Sequence, residues 1–538
     1  MDEQQPARLD WTQIPLHPFF FAAHPILFLY ASNAGQLAAG ELWRPLWFSL
    51  ASTAVAYAWL RLALREFARA ALVLTVVVFL FFQQGLLSQI WYRAMKLDVL
   101  FAWALLVVAL TVMVLRRRTT LTHWTRFLNL TGAFLLAMAL SEIVAYQVFG
   151  IRGERLVTAH LAQATPPTAL APARGYAPDI YYIILDGYGR ADVLADLYGK
   201  DTNRLTEYLS RKGFYVAPRA RSNYGQTMPS LASSLNMEYL DYLSEDKGVL
   251  PQDRRPLARM VRDNQVTKIL RSLGYTIVLY PSVYLTKGSF RADAVMADPK
   301  DDKAGVFEVS VAEMTPLPAL AERLKEHASV LRFFLDEPDV HRMRTIYSLD
   351  HLGDLPDHQK PVFVFAHVLC PHPPFIFNRM GATRVPGELQ ADGTTAGEVA
   401  DNGYYRAGYE DQVTYLNIKV REIVERILAH SKRPPIIILQ GDHGPGSRLV
   451  FGRDPGAMTS VDLRERMSIL NAYYLPAGGE QALYPTITPV NTFRSLFNYY
   501  FGAKYPRLAD RSFFSTWMTP YRYIEYAPGE SAPRTPAR

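Results

Sequence analysis

Ala70–Phe82 and Val99–Leu115 contain no charged residue. Lipid offers no partner to an open backbone N–H or C=O, so stretches of this kind cross a bilayer only as helices. Similar apolar stretches fall at residues 16–34, 45–64, 70–90, 98–115 and 127–149. At about 18–23 residues each is long enough to span a hydrocarbon core of roughly 30 Å. Pro18 and Pro25 interrupt the first. A composition of 49% hydrophobic and 20% charged residues, apolar for a wholly soluble protein, is explained by this N-terminal concentration. No short basic start leads into a single apolar stretch and a small-residue cleavage site, so a cleaved signal peptide does not fit.

Arg61, Arg65 and Arg69 lie between the second and third stretches, and Arg116, Arg117, Arg118 and Arg126 between the fourth and fifth. The alternate loops carry only Arg44, Arg93 and Lys96. The positive-inside rule places the arginine-rich loops in the cytoplasm. With five spans the N-terminus is then cytoplasmic and the chain after about residue 150 lies outside. The expectation is a multi-pass protein of the cytoplasmic membrane, in contact with membrane lipids, with an extracytoplasmic C-terminal part. The lone Cys370 permits no intramolecular disulfide and reads as a small buried apolar side chain.

Residues 151–178 turn to Ala, Pro and Thr, with Thr165-Pro166-Pro167-Thr168 and Ala171-Pro172-Ala173, and read as an extended linker. Residues 179–521 alternate strand-like and helix-like stretches, the pattern of an α/β domain with a largely buried sheet. Helices are expected around Val266 to Leu273 and Tyr409 to Ala429, each ahead of a strand. Residues 522–538, with Pro528, Pro533 and Pro536, are expected to be a disordered tail. The formal charge of +7 includes the loop arginines and forms no basic stripe interleaved with aromatics, which argues against nucleic acid as a partner.

Three apolar runs in this part end in ligand-type residues. Ile180–Leu185 is closed by Asp186-Gly187, Val362–Ala366 leads to His367 and Pro371-His372-Pro373-Pro374, and Ile436–Leu439 precedes Gly441-Asp442-His443-Gly444. Each reads as a strand buried on both faces. In open α/β sheets the ligand crevice lies beyond the carboxyl ends of the strands, so these residues can meet there.

Gln226-Thr227-Met228-Pro229-Ser230 places Thr227 at or just before a helix N-terminus, since proline favours the first helical turn. Backbone N–H groups and the helix dipole favour an alkoxide and an anionic substrate there; the plainer reading is an N-cap threonine. Asp186, Thr227, Asp442 and His443 supply two carboxylates, an alkoxide and an imidazole, a donor set for manganese, magnesium, calcium or zinc. Such a cation lowers the pKa of the threonine and neutralises charge on a transferring group. His367 and His372 can hold substrate oxygens or protonate a leaving group. Asp354 and His358 have ligand-like spacing but precede a strand, and read as a polar loop.

Asp-Gly after the first strand, Thr-x-Pro-Ser at a helix start, a histidine loop and a late Gly-Asp-His-Gly resemble the sulfatase-like branch of the alkaline phosphatase superfamily. Five membrane helices ahead of an extracytoplasmic domain resemble the lipoteichoic acid synthases. The resemblance implies a multi-pass α-helical membrane domain, residues 1–150, followed by a sulfatase-like α/β domain with a central, mostly parallel sheet. It also implies a covalent intermediate on Thr227, and one manganese held by Asp186, Asp442 and His443.

There are departures. Lipoteichoic acid synthases usually carry glutamate where this chain has Asp186. Sulfatases need a cysteine or serine and, four residues on, an arginine, where this chain has Thr227 and Leu231. Two-metal relatives use a histidine downstream of the Asp-His pair, and no histidine follows His443, so one principal metal is expected. The expected activity is a metal-dependent hydrolase or transferase acting on phosphate esters outside the membrane, with a lipid-linked donor and a glycan or lipid acceptor as candidate partners. The alternatives are a sulfuric ester hydrolase and a non-catalytic glycan- or lipid-binding membrane protein.

Overall fold

The structure, a computed structural model, describes residues 11–34, 37, 39–95, 99–116, 121–163, 170–172, 177–199, 203–244, 253–282, 285, 288–298, 306–323, 337–355, 358–384, 403–450 and 452–527. The chain divides into two compact units, residues 1–149 with 302–337, and residues 150–301 with 338–538.

The first unit is helical. Its helices α1 (His17–Ser32), α2 (Trp43–Leu64), α3 (Phe67–Met95), α4 (Val99–Arg116) and α5 (Thr122–Gln163) fall on the five apolar stretches. Segments Phe67–Leu87 and Thr122–Leu161 are long and apolar enough to cross a bilayer, and Leu100–Arg116 is a shorter apolar helix. Pro25 lies inside the 16-residue α1, and α2 mixes apolar residues with Arg44, Arg61 and several Trp and Tyr. Large apolar side chains including Trp47, Trp59, Phe101, Val108 and Phe134 face outward. Inside, Asn129 Nδ2 donates to the carbonyls of Thr12 (3.0 Å) and Ile14 (2.6 Å). Of the arginines that set the expected orientation, Arg117 and Arg118 lie outside the described residues, as does Lys96.

Two expected boundaries move. Residues 151–163, assigned to the extended linker, continue α5, which at 42 residues is about 63 Å long, roughly twice a hydrocarbon core. Its last turns carry an apolar stripe rather than linker chemistry: Val157 enters the core of the second unit, and His160 Nε2 lies 2.8 Å from Glu238 Oε2. Linker residues 164–169 and 173–176 lie outside the described residues. The helices Val306–Glu313 and Leu317–Arg323, expected within the outer domain, belong instead to the first unit. Phe307 and Val311 join its apolar cluster, and Gly85 N donates to Met314 O at 3.1 Å.

The second unit is built on a seven-stranded sheet: β1 (Ile180–Leu185), β2 (Tyr215–Val216), β3 (Thr276–Tyr280), β4 (Ala294–Val295), β5 (Val362–Val368), β6 (Ile436–Gln440) and β7 (Asn471–Tyr474), in spatial order β2-β7-β6-β1-β5-β3-β4. β1 pairs in parallel with β5 and β6, and β3 with β5 and β4, while β7 runs antiparallel to β6 and β2. Every residue of β1, β5 and β6 is buried. Alternation splits them between two cores, Tyr182, Ile184, Phe365 and Ile438 on one face and Tyr181, Ile183, Val364 and Ile437 on the other. The expected helices are present as Gln265–Ser272 and Gly403–His430. Residues 522–527, expected in a disordered tail, are ordered: β9 (Ile524–Glu525) pairs with β8 (Phe513–Phe514), and Arg511 binds Glu525 at 2.9 Å. Residues 528–538 lie outside the described residues.

Candidate metal centre and nucleophile

Parallel pairing aligns the carboxyl ends of the three central strands. Leu185 is opposite Val368, and Ile184 is opposite both His367 and Gln440. Asp186, His367 and the Asp442-His443 pair therefore leave the sheet side by side. Backbone bonds continue the alignment past the strands, with Asp186 N donating to Val368 O and His372 N to Asp186 O, each at 3.0 Å.

The side chains converge. His367 Nε2 lies 3.3 Å from Asp186 Oδ2, and His443 Nε2 lies 3.4 Å from Asp186 Oδ1 and 3.5 Å from Asp442 Oδ2. The ligand atoms of Asp186, His372 and His443 all lie within 4.8 Å of one another, and so do those of Asp186, His367 and Asp442. All five residues are buried.

Two imidazoles are oriented by backbone carbonyls. His443 Nδ1 donates to Gly444 O at 2.9 Å, and His372 Nδ1 to Pro373 O at 2.6 Å. A carbonyl can only accept, so each neutral ring presents a bare Nε2. Burial and the nearby Arg466 cation hold His443 well below the usual histidine range. Burial also pushes the Asp442 carboxyl up, and the Asp186 carboxylate beside it adds to the rise. Asp186 moves the other way: burial would raise it, and the surrounding His372, His367 and His443 more than offset that. His367 is raised, because the adjacent Asp186 carboxylate outweighs the lowering effect of burial.

These residues fit a divalent cation. Asp186 Oδ1 and Asp442 Oδ2 are buried acceptors without a hydrogen-bond partner. Unpartnered buried acceptors of this kind are expensive unless an ion completes them.

Thr227 is the first residue of the helix Thr227–Asn236, and Gln226 occupies the cap position. It is not an N-cap threonine. Its Oγ1 lies 3.2 Å from His443 Nε2 and, being partly exposed, remains open to an incoming substrate. Four residues further along, Leu231 points into the apolar core, so the position of a sulfatase arginine is filled by a packed aliphatic side chain.

All the residues singled out from sequence meet except Asp354 and His358. Asp354 lies 3.6 Å from Arg426 Nε, and His358 Nε2 lies 3.1 Å from Asp179 Oδ2. His367 and His372, expected to act on substrate, are 1% and 6% exposed and lie within the groups that could hold a cation. Sequence reasoning missed several supports. Ser222 and Ser230 both donate to the Asp442 carbonyl, the latter at 2.8 Å, which assigns a structural duty to the serine of Thr-x-Pro-Ser. Gln412 pins the histidine loop, donating through Nε2 to Pro371 O (3.1 Å) and His372 O (3.2 Å). Arg466 places Nη2 3.2 Å from His443 Nε2. Arg464-Glu465-Arg466 reads in sequence as a solvated helix face, yet Glu465 is fully buried and Arg466 is 3% exposed.

No protein-family model and no curated protein matches the chain. Among solved structures it is similar to the C-terminal periplasmic domain of EptC from Escherichia coli (13% identity, 68% of this chain and 97% of that one, TM-score 0.41). It is also similar to the integral membrane protein lipooligosaccharide phosphoethanolamine transferase A from Neisseria meningitidis (12%, 90% and 95%, TM-score 0.36). A third is the phosphonate monoester hydrolase of Agrobacterium radiobacter (12%, 63% and 80%, TM-score 0.36). Likenesses this distant carry no functional weight of their own.

Proposed function

We propose that this chain is a membrane-anchored, metal-dependent hydrolase or transferase of the sulfatase-like kind, acting on phosphate esters outside the cytoplasmic membrane through Thr227. The observation that carries the reading is the 3.2 Å approach of the Thr227 hydroxyl to His443 Nε2, at a helix N-terminus and beside a nest of buried acceptors that lack partners. Outward-facing apolar side chains on α2, α4 and α5 support membrane anchoring. Five membrane spans and a catalytic unit outside the membrane belong to this proposal.

Asp186, Asp442 and His443 would hold the cation together with the Thr227 oxygen, with His367 and His372 completing the shell around the shared Asp186. When bound, the ion supplies positive charge that lowers the threonine pKa and screens the phosphoryl oxygens; manganese is the first candidate. Thr227 Oγ1 releases its proton to solvent and forms a bond to phosphorus, while the bond from phosphorus to the ester oxygen opposite it breaks and that oxygen takes up a proton from solvent as the free alcohol. The helix N-terminus directs backbone N–H groups toward the transferred group. Water then cleaves the phospho-threonine in a phosphodiesterase, and a glycan or lipid hydroxyl does so in a transferase. Phosphate is favoured over sulfate because Thr227 and the buried Leu231 replace the pair that sulfate chemistry needs.

The test compares turnover of bis-p-nitrophenyl phosphate and p-nitrophenyl sulfate by the full-length protein with Mn²⁺, with chelator and as Thr227→Ala. Phosphodiester cleavage that needs both metal and Thr227 supports the reading; sulfate turnover alone would replace it with the sulfuric ester alternative.

A further inference from the structure

Arg466 is the penultimate residue of the helix Ser460–Met467, and its guanidinium is buried between two functional segments. Nε donates to Gly225 O at 2.7 Å, two residues before Thr227, and Nη1 donates to Gly444 O at 3.3 Å, one residue after His443. The third contact is Nη2 to His443 Nε2 at 3.2 Å. Among the described residues no carboxylate lies within ion-pair distance of this guanidinium. A buried cation without an anion is costly, and backbone carbonyls compensate it only in part.

The His443 contact cannot persist once a cation is held. His443 has one lone pair at Nε2, because Nδ1 carries the proton donated to Gly444 O. That lone pair can accept from Arg466 or ligate a metal, and not both. The two carbonyl contacts are untouched by this choice, so they keep the guanidinium in place while Nη2 becomes a free donor beside Thr227. Two carboxylates, one divalent cation and one guanidinium then sum to a single positive charge, which suits an anionic group.

We propose that Arg466 is a two-position anion-binding residue: it occupies His443 Nε2 in the metal-free protein and, when a divalent cation takes that nitrogen, donates Nη2 to an oxygen of the tetrahedral anion at Thr227. This rests on the metal-assisted reading above. Arg466 is thereby a competitor of the metal and a partner of the anion. In the wild type, metal and anion therefore reinforce each other's binding through this side chain.

The experiment is calorimetric titration of the full-length protein in detergent, first with Mn²⁺ and then, on the Mn²⁺-loaded protein, with inorganic phosphate. It is repeated for Arg466→Gln and Arg466→Lys after their unfolding temperatures have been measured. Arg466→Gln is expected to bind Mn²⁺ at least as tightly as wild type and phosphate about 10–100-fold more weakly, as loss of a charge-assisted bond implies. Phosphate should tighten Mn²⁺ binding in the wild type and do so less in Arg466→Gln, which keeps only the direct attraction of the ion for the anion. Arg466→Lys keeps the charge but not the fork, and should fall between the two for phosphate; it carries the same comparisons if the Gln variant unfolds. Unchanged phosphate affinity, or weakened Mn²⁺ binding in a variant that unfolds at the wild-type temperature, would overturn the proposal. A wild type that binds no Mn²⁺ would overturn the metal reading beneath it.

Discussion

His443 turns Nε2 toward Asp186 Oδ1 at 3.4 Å while its Nδ1 proton is committed to the Gly444 carbonyl. An acceptor thus faces an acceptor inside a buried site, with Arg466 Nη2 3.2 Å from the same nitrogen, and a cation between the two would relieve the opposition.

The Asp186 carboxylate also acts on Asp442, whose carboxyl it helps to raise. Asp442→Asn keeps an oxygen for the bond from Gly187 N (3.1 Å) and removes one of these two acidic groups. With chelator present, the variant should unfold about 2–4 °C above wild type, the shift that roughly 1 kcal/mol produces in a domain of this class. Mn²⁺ should raise the unfolding temperature of the wild type and scarcely move the variant, whose metal affinity should fall by more than about 100-fold. Differential scanning fluorimetry reads both effects.

The pH dependence of the metal-free protein has a definite sign. The Asp442 carboxyl is raised in the folded state to about 7 by burial and by Asp186, against about 4 in an unfolded chain. Its stabilising contribution is complete below about pH 4 and is lost as pH rises toward 7. Asp186 is shifted downward, so its contribution changes only in more acid solution. The unfolding temperature of wild type relative to Asp442→Asn should therefore drop between pH 4 and 7 in chelator. Mn²⁺ binding to the wild type should tighten across the same window, because the ion displaces the proton.

Gly444 has no room for a side chain. A Cβ there would stand 2.2 Å from the Glu465 carbonyl and 2.8 Å from that of Ser468, both backbone atoms that cannot swing aside. Gly444→Ala should cost about 1–3 kcal/mol in denaturant unfolding, the usual range for overpacking. It should also displace His443 and lower Mn²⁺ affinity.

Gln412 is fully buried and serves both sides of the histidine loop, since its Oε1 accepts from Ile376 N (2.9 Å) and Phe377 N (3.3 Å). Gln412→Ala leaves four backbone groups to find new partners. A loss of roughly 2–4 kcal/mol is expected. Because the loop carries His372, Mn²⁺ affinity should weaken even under conditions where the variant remains folded. Chemical denaturation together with metal titration separates these two effects.

The parts legible in the sequence were those with a short-range cause. Ile180–Leu185, Thr276–Tyr280 and Ile436–Leu439 are β-branched or aromatic runs too short for helices, and the sheet uses them as strands. Asp186, Thr227, Asp442 and His443 were legible because strand ends and helix starts face one crevice in an α/β sheet. What escaped depended on contacts distant in sequence. The alternation of charge in Arg464-Glu465-Arg466 looks solvated, and only the packing of that helix against the Asp-His turn buries it. Similarly, Val306–Glu313 resembles an ordinary helix of the outer domain, and only its apolar residues, with Phe307 edge-on to Tyr30, assign it to the helical unit. His367 and His372 read as functional from the loop they occupy, but their approach to Asp186 depends on the register of β5 against β1, which no local pattern reveals.

If Thr227 is the nucleophile, it becomes covalently phosphorylated during turnover. The most direct measurement is the intact mass of the full-length protein after brief incubation with Mn²⁺ and an activated phosphodiester, alongside Thr227→Ala. A mass gain equal to the transferred phosphoryl group is expected, mapped by fragmentation to Thr227 and absent from the alanine variant. Turnover of the phosphodiester by Thr227→Ala at the wild-type rate, or an adduct on another residue, would contradict it.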